Sequence, residues 1–232
     1  MNSERNPRET EPGSFSRTVI RGEARLQFWN GVVKAVGLAN SFIILAALSV
    51  YQFGLYQLVL ALVVIVESFS AGLFDDVVVN DVARGLAEGE RGRAKRLFLE
   101  FAFWKAASGV VLGGILFLGS DLAAAYYGKD IGGFIKIASF LVALNALKAT
   151  EEIFFIATVS FAGLAVQAVQ EIVKLALLLA LSLQATFGIR EVLLVAVGAG
   201  AASLLFSSFA FFREYRVVFQ RVRAASRSLL RT

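Results

Sequence analysis

From Ala35 to Val66 the chain runs 32 residues without an Asp, Glu, Lys or Arg, and from Val192 to Phe212 it runs another 21. A helix crosses the hydrocarbon core of a bilayer with about 20 apolar residues, so the first run is too long for one crossing. A break at Tyr51-Gln52-Phe53-Gly54 divides it into two helices. Hydrophobic residues make up 57% of the chain and charged residues only 18%, which is more apolar matter than one soluble core hides. Both prolines, Pro7 and Pro12, lie near the N-terminus, so long helices are uninterrupted by proline.

Phe-rich stretches from Leu97 to Gly119, Ile131 to Ile156 and Gly163 to Thr186 supply three more crossings, and Val192 to Phe212 completes six. The expected fold is all-α, with six transmembrane helices in one bundle. Residues 1–26 form a polar cytoplasmic tail, weakly structured over 1–16. Residues 27–212 form the bundle, and residues 213–232 a basic cytoplasmic tail. The apolar segment from Gln27 to Val50 carries Lys34 and is expected to be retained rather than cleaved as a signal. In the last segment Val218, Val222, Ala225 and Leu229 recur at helical spacing, the pattern of an interfacial amphipathic helix. A solvated basic stub is the alternative.

Basic residues orient the bundle. Arg5, Arg8, Arg17, Arg21 and Arg25 lie in the first tail, Arg84, Arg91, Arg93, Lys95 and Arg96 in a loop from Asn80 to Arg96, and six Arg between Arg213 and Arg231. The opposite loops hold Lys129 and Arg190. This asymmetry places both termini in the cytoplasm and the chain in the cytoplasmic membrane. The net charge of +5 is thereby explained as a topology signal, with no nucleic-acid partner. With no Cys and no His, thiolate, imidazole and Cys/His metal chemistry are excluded, and no cofactor or metal is implied. The remaining charges are scattered over separate helices, so an enzyme is not expected.

Charges at membrane depth are costly and need a reason: about 2.5 to 3.5 kcal/mol for a Lys, Arg or Asp at a helix centre. In the first helix Asn30, Lys34, Gly37 and Ser41 share one face, with Lys34 roughly 10 Å inside; snorkelling to the headgroups is the competing account. In the fifth, Gly163, Gln167, Gln170, Glu171 and Lys174 form a stripe, with Lys174 about 16 Å inside. Either this stripe walls a polar cavity or Glu171 and Lys174 neutralise each other along the helix. Glu67, near the middle of the second helix, pairs with a Lys or carries a coupling proton. Asp75, Asp76 and Asp81 are expected to be solvated. Asn145, Lys148, Glu151 and Glu152 read as a local salt-bridge cluster, Glu100 as an end charge, and Lys105 is unassigned. Gly109 and Gly113 make a GxxxG, and Gly198, Ala201 and Ala202 a smooth patch, both suited to helix packing.

Several short motifs, in this order, resemble one family. Tyr51-Gln52-Phe53-Gly54-Leu55-Tyr56 looks like the turn after the first span of polysaccharide-exporter flippases in the multidrug, oligosaccharidyl-lipid and polysaccharide superfamily. Ser70-Ala71-Gly72-Leu73, followed by Val82-Ala83-Arg84 and a charged stretch to Leu97, is similar to that family's second span and first basic loop. Tyr126-Tyr127-Gly128 resembles its turn after the third span, Phe155 to Gln170 its fourth-to-fifth junction, and Arg213-Glu214-Tyr215-Arg216 its basic stop. The resemblance covers about Arg25 to Arg216, one six-helix bundle where the family has two.

The resemblance implies alternating access around a cavity that takes a polyprenyl-pyrophosphate-linked saccharide, with membrane lipids as surroundings. A second copy of the chain or a separate C-terminal bundle completes the transporter, which makes this sequence a half unit or a fragment. Substrate contacts are then expected from Lys34, Asn30, Gln167, Gln170, Glu171 and Lys174, the lysines attracting phosphate, and ion coupling from Glu67. A cation-coupled multidrug-type antiporter of the same superfamily is the second expectation. A non-transporting scaffold that holds a cytoplasmic glycosyltransferase is the third.

Overall fold

The computed structural model describes residues 12–70, 75–158, 162–183 and 187–229, with side chains described over 27–70, 75–158, 168–183 and 187–219. Eight α-helices and no strand occur among them. They are α1 (Pro12–Ala47), α2 (Val50–Ser70), α3 (Asp75–Ala87), α4 (Arg91–Leu118), α5 (Ser120–Tyr127), α6 (Gly132–Ala157), α7 (Ala162–Ser182) and α8 (Ile189–Leu229). Four stretches are long and apolar enough to cross a membrane: Gln27–Ala47, Val50–Ser70, Arg91–Leu118 and Ile189–Phe219. The charged helix α6 is not among them.

Several boundaries differ from the sequence expectation, each for a local reason. The break between the first two long helices falls at Leu48-Ser49, so the Tyr51–Gly54 motif lies inside the start of α2. A capping box sets this position: the Gln52 amide N–H donates to Ser49 Oγ at 3.3 Å, and the Ser49 N–H donates to Gln52 Oε1 at 3.1 Å. α1 begins at Pro12, where a proline suits the first helical position, so residues 12–26 extend the helix rather than forming an irregular tail. Residues 1–11 lie outside the described residues. α8 is one helix of 41 residues, about 60 Å at 1.5 Å per residue, so the basic tail continues the span through Leu229 instead of starting a separate interfacial helix.

The supposed loop from Asn80 to Arg96 is mostly helical. Val78, Val82 and Leu86 recur every fourth residue and face a core, while Asp75 and Asp76 in the first turn and Arg84 in the last complement the helix dipole. A short turn at Gly89, whose φ is +81°, reverses the chain into α4. α5 ends in a Schellman motif at Gly128 (φ +59°), with Lys129 N–H to Ala124 O at 3.1 Å and Gly128 N–H to Ala125 O at 3.2 Å. Lys129 stacks over the Tyr51 ring at 5.3 Å, so the α1–α2 break and the α5–α6 link share one end of the bundle.

α6 is the central helix, packed against α2, α3, α4, α5, α7 and α8, while α1 joins the bundle chiefly through α7. Close approach of α4 and α6 depends on Gly109 and Gly113. A Cβ on Gly109 would sit 2.3 Å from Ala146 Cβ, and one on Gly113 would sit 3.0 Å from Ser139 O. The patch expected at Gly198 is different: Gly198 is exposed, and Ala199, Gly200 and Ser203 face inward.

The interior has three layers. An aliphatic core at the Tyr51 end contains Ile44, Val59, Val63, Ile135, Val142, Leu178 and Leu193. An aromatic core at the other end contains Phe98, Phe154, Phe155 and Phe219, with Val82 and Ala94. Between them lies a polar layer, legible along single helices: α6 passes from Val142 through Asn145, Lys148 and Glu151 to Phe154, and α8 from Val195 through Ser203 and Ser207 to Phe211.

Candidate functional site in the polar layer

A cavity of about 410 Å³ opens in this layer. Its walls come from α1 (Val33), α2 (Glu67), α6 (Asn145, Lys148, Ala149, Glu151, Glu152, Phe155), α7 (Gln170, Glu171) and α8 (Ser207). Among the described residues, four carboxylates thus face one ammonium.

Glu67 lies one turn before Ser70, the last described residue of α2. Asn145 Nδ2 donates to Glu67 Oε1 at 2.7 Å. Lys148 Nζ donates to Gln170 Oε1 and interacts electrostatically with Glu67, Glu152 and Glu171. It is the shared counter-charge of carboxylates from three helices. Glu171 accepts from Asn40 Nδ2 at 2.7 Å, and the same amide reaches the Glu171 carbonyl at 3.2 Å. Glu151, 9% exposed, accepts hydrogen bonds from Ser207 Oγ and, at 2.6 Å, from Ser208 Oγ. Such bonds matter because a buried polar group without a partner costs about 1–3 kcal/mol. Asn40 Oδ1, on a side chain only 1% exposed, has no partner among the described residues.

The expected site residues divide into three groups. Glu67, Gln170 and Glu171 line the cavity. Lys34, Asn30 and Lys174 do not: Lys34 is exposed, and Asn30 and Lys174 are half-buried outside the lining. The side chain of Gln167 lies outside the described residues. No ion pair joins Glu171 to Lys174 among the described residues, so intrahelical neutralisation does not account for either. On α1 the inward face is Val33, Gly37, Asn40, Ile44 and Leu48, whereas Ser41 is exposed and bonds to Gly37 O at 2.9 Å. The anticipated α1 stripe shares only Gly37 with this face.

Asn145, Lys148, Glu151 and Glu152 are the larger difference. Lys148 interacts with Glu152 along α6, and beyond that three of the four find partners on α2, α7 and α8. Depth was the available signal, since Glu67 in an apolar helix required a polar partner at its own level.

A second polar cluster borders the cavity. Lys105, 7% exposed, donates to Ser70 O at 2.9 Å and to Asp75 Oδ1 and Oδ2 at 3.0 and 2.9 Å. Asp75 is therefore an ion-pair partner and not a solvated end charge. Glu100, by contrast, pairs with Arg96 at 2.8 Å on the exposed surface, as an end charge does. Among the described residues no group of three or more acidic side chains is spaced to hold a metal ion.

These features define an all-helical protein among the described residues, with four stretches long and apolar enough to cross a membrane and a carboxylate-rich polar cavity within the bundle. No protein-family profile matches the chain, and neither characterised proteins nor solved structures include a significant match.

Proposed function

We propose that the chain is a membrane transport protein, a flippase-like unit that passes the saccharide head of a lipid-linked precursor through this cavity by alternating access. The observation that carries the reading is the cavity itself: polar side chains from α2, α6, α7 and α8 converge inside a bundle that exposes many large apolar side chains. Its volume of about 410 Å³ falls within the range of small-molecule sites. Carboxylate and amide oxygens accept from sugar hydroxyls, while Asn145, Gln170 and Lys148 donate to them. The cationic role expected of Lys34 and Lys174 passes to Lys148. The proposed arrangement has α1, α2, α4, α6, α7 and α8 as six spans, both termini in the cytoplasm and the aromatic core on the cytoplasmic side. A second copy or a separate bundle closes the transport path.

The test is headgroup translocation in proteoliposomes of the cytoplasmic-membrane type, using a fluorescent lipid-linked saccharide. Lys148→Met and Glu67→Gln are expected to abolish most translocation, and Lys34→Ala and Lys174→Ala to reduce it little. Unchanged translocation in the first two variants refutes the reading.

The excess of four carboxylates over one ammonium specifically favours a second reading, a cation-coupled antiporter of the same superfamily with Glu67 as the coupling group. That reading requires transport that depends on a proton or sodium gradient and loses the dependence in Glu67→Gln. Transport indifferent to both gradients removes it.

A further inference from the structure

We infer that Lys105 is a positioning residue for the cavity: it fixes the turn of α2 that carries Ser70 and thereby seats Glu67 against Asn145. The inference rests on the transport reading of the cavity for its purpose, but not for its geometry.

Ser70 is the last described residue of α2, and its carbonyl accepts a hydrogen bond from Lys105 at 2.9 Å. Asp75 opens α3, where a carboxylate suits the positive end of the helix dipole. Lys105 projects from the middle of α4 and meets both, delivering its hydrogens to the Ser70 carbonyl and the two Asp75 oxygens. Its ammonium also lies 6.0 Å from the Phe101 ring centroid. A hydroxyl pair completes the attachment. Ser108 Oγ donates to Lys105 O at 2.8 Å, which commits its only proton, so Ser70 Oγ is the donor in the 3.0 Å contact with Ser108 Oγ.

The Ser70 turn of α2 is thus bound to α4 through both the backbone and the side chain of Ser70. Glu67 lies in the same turn, about 4.5 Å back along the axis, and makes its 2.7 Å contact with Asn145 on α6. Two attachments on one helical turn, one to α4 and one to α6, leave that turn little freedom. Releasing the first lets the turn swing and lengthens the second.

Because the chain has no cysteine, paired cysteines report single contacts. Glu67→Cys with Asn145→Cys reads the α2–α6 contact, and Asn40→Cys with Glu171→Cys reads the distant α1–α7 contact. In the full chain in detergent, Lys105→Met is expected to slow oxidative cross-linking of the first pair about tenfold, the scale of one lost charge-assisted hydrogen bond, and to leave the second pair unchanged. Lys105→Arg, which keeps charge and donors, should restore most of the rate. Asp75→Asn, which keeps an acceptor but loses the charge, should fall between, and it serves as the second probe if Lys105→Met does not fold. Parent rates in both variants, or equal slowing of both pairs, overturn the inference. If Glu67→Gln transports normally while the cross-link still slackens, the transport reading falls and the positioning role stands.

Discussion

The aliphatic and aromatic cores are built from different side chains and enclosed by different surfaces. Around the aliphatic core the outward residues are apolar, among them Phe42, Val64, Val110 and Leu205, each more than 60% exposed. Around the aromatic core charged side chains share the surface with apolar ones: Arg84, Glu88, Arg93, Lys95 and Arg96 face outward, and so do Leu99, Ile156 and Phe212. The same burial therefore has different worth in the two regions. Where lipid surrounds a helix, moving an apolar side chain into the bundle gains little, because lipid tails are as apolar as the interior. Stability there comes from close fit and from polar bonds. Where water surrounds it, each buried ring also gains the hydrophobic term.

Truncation in the aromatic core should have the largest effect. Phe154 lies between 5.0 and 6.1 Å, centroid to centroid, from the rings of Phe98, Phe155, Phe211, Tyr215 and Phe219. Phe154→Ala is expected to lose about 3–5 kcal/mol in reversible unfolding from detergent. Leu193→Ala, equally buried in the aliphatic core, should lose distinctly less. Equal losses would mean that both cores face the same solvent.

Fit at the α4–α6 crossing comes next. Gly109→Leu forces a side chain onto Ala146 and should cost about 1–3 kcal/mol in the same assay. Gly114→Leu is the control, since nothing lies within 4 Å of a Cβ there. A Gly109 variant as stable as the control would show that the helices slide apart freely.

Helix type and the apolar character of the chain were legible from composition and run length, because neither depends on which helices meet. The site was legible in part. Glu67, Gln170 and Glu171 stood out as charges and amides in apolar surroundings. Asn40 did not, because its neighbour Ser41 fitted the same periodicity, and one residue rotates the assumed face of α1 by about 100°. The α6 cluster failed for another reason. Spacing along one helix shows the Lys148–Glu152 attraction, whereas the hydrogen-bond partners of Asn145, Lys148 and Glu151 come from α2, α7 and α8, and only the fold brings those together. Likewise α3 was hidden because its alternating charges look like a loop until Val78, Val82 and Leu86 acquire the aromatic core to face.

A smaller effect tests the polar layer between the cores. Ser208→Ala removes one of two hydroxyls bonded to Glu151 and leaves Ser207 in place. The expected loss is about 1 kcal/mol, that of a single hydrogen bond whose acceptor keeps another donor. Ser207→Ala with Ser208→Ala should lose more than the sum of the two singles, because Glu151 then lies buried with neither hydroxyl. Additive losses would show that water enters the layer and replaces the hydroxyls.

The smallest effect belongs to the charged surface of the aromatic core. Arg96 and Glu100 meet at 2.8 Å, closer than many buried pairs, yet their side chains are 83% and 58% exposed. The Lys105–Asp75 pair has a similar separation of 2.9 Å at 7% and 27% exposure. Distance alone would rank the two pairs as equals. Solvent decides otherwise, since water and salt screen the first pair and both partners regain full hydration when it breaks. Arg96→Ala should leave the unfolding midpoint within error at every salt concentration, whereas Asp75→Asn should lower it even at high salt. A loss in Arg96→Ala that persists at high salt would place that end of α4 out of water and collapse the distinction between the two surfaces.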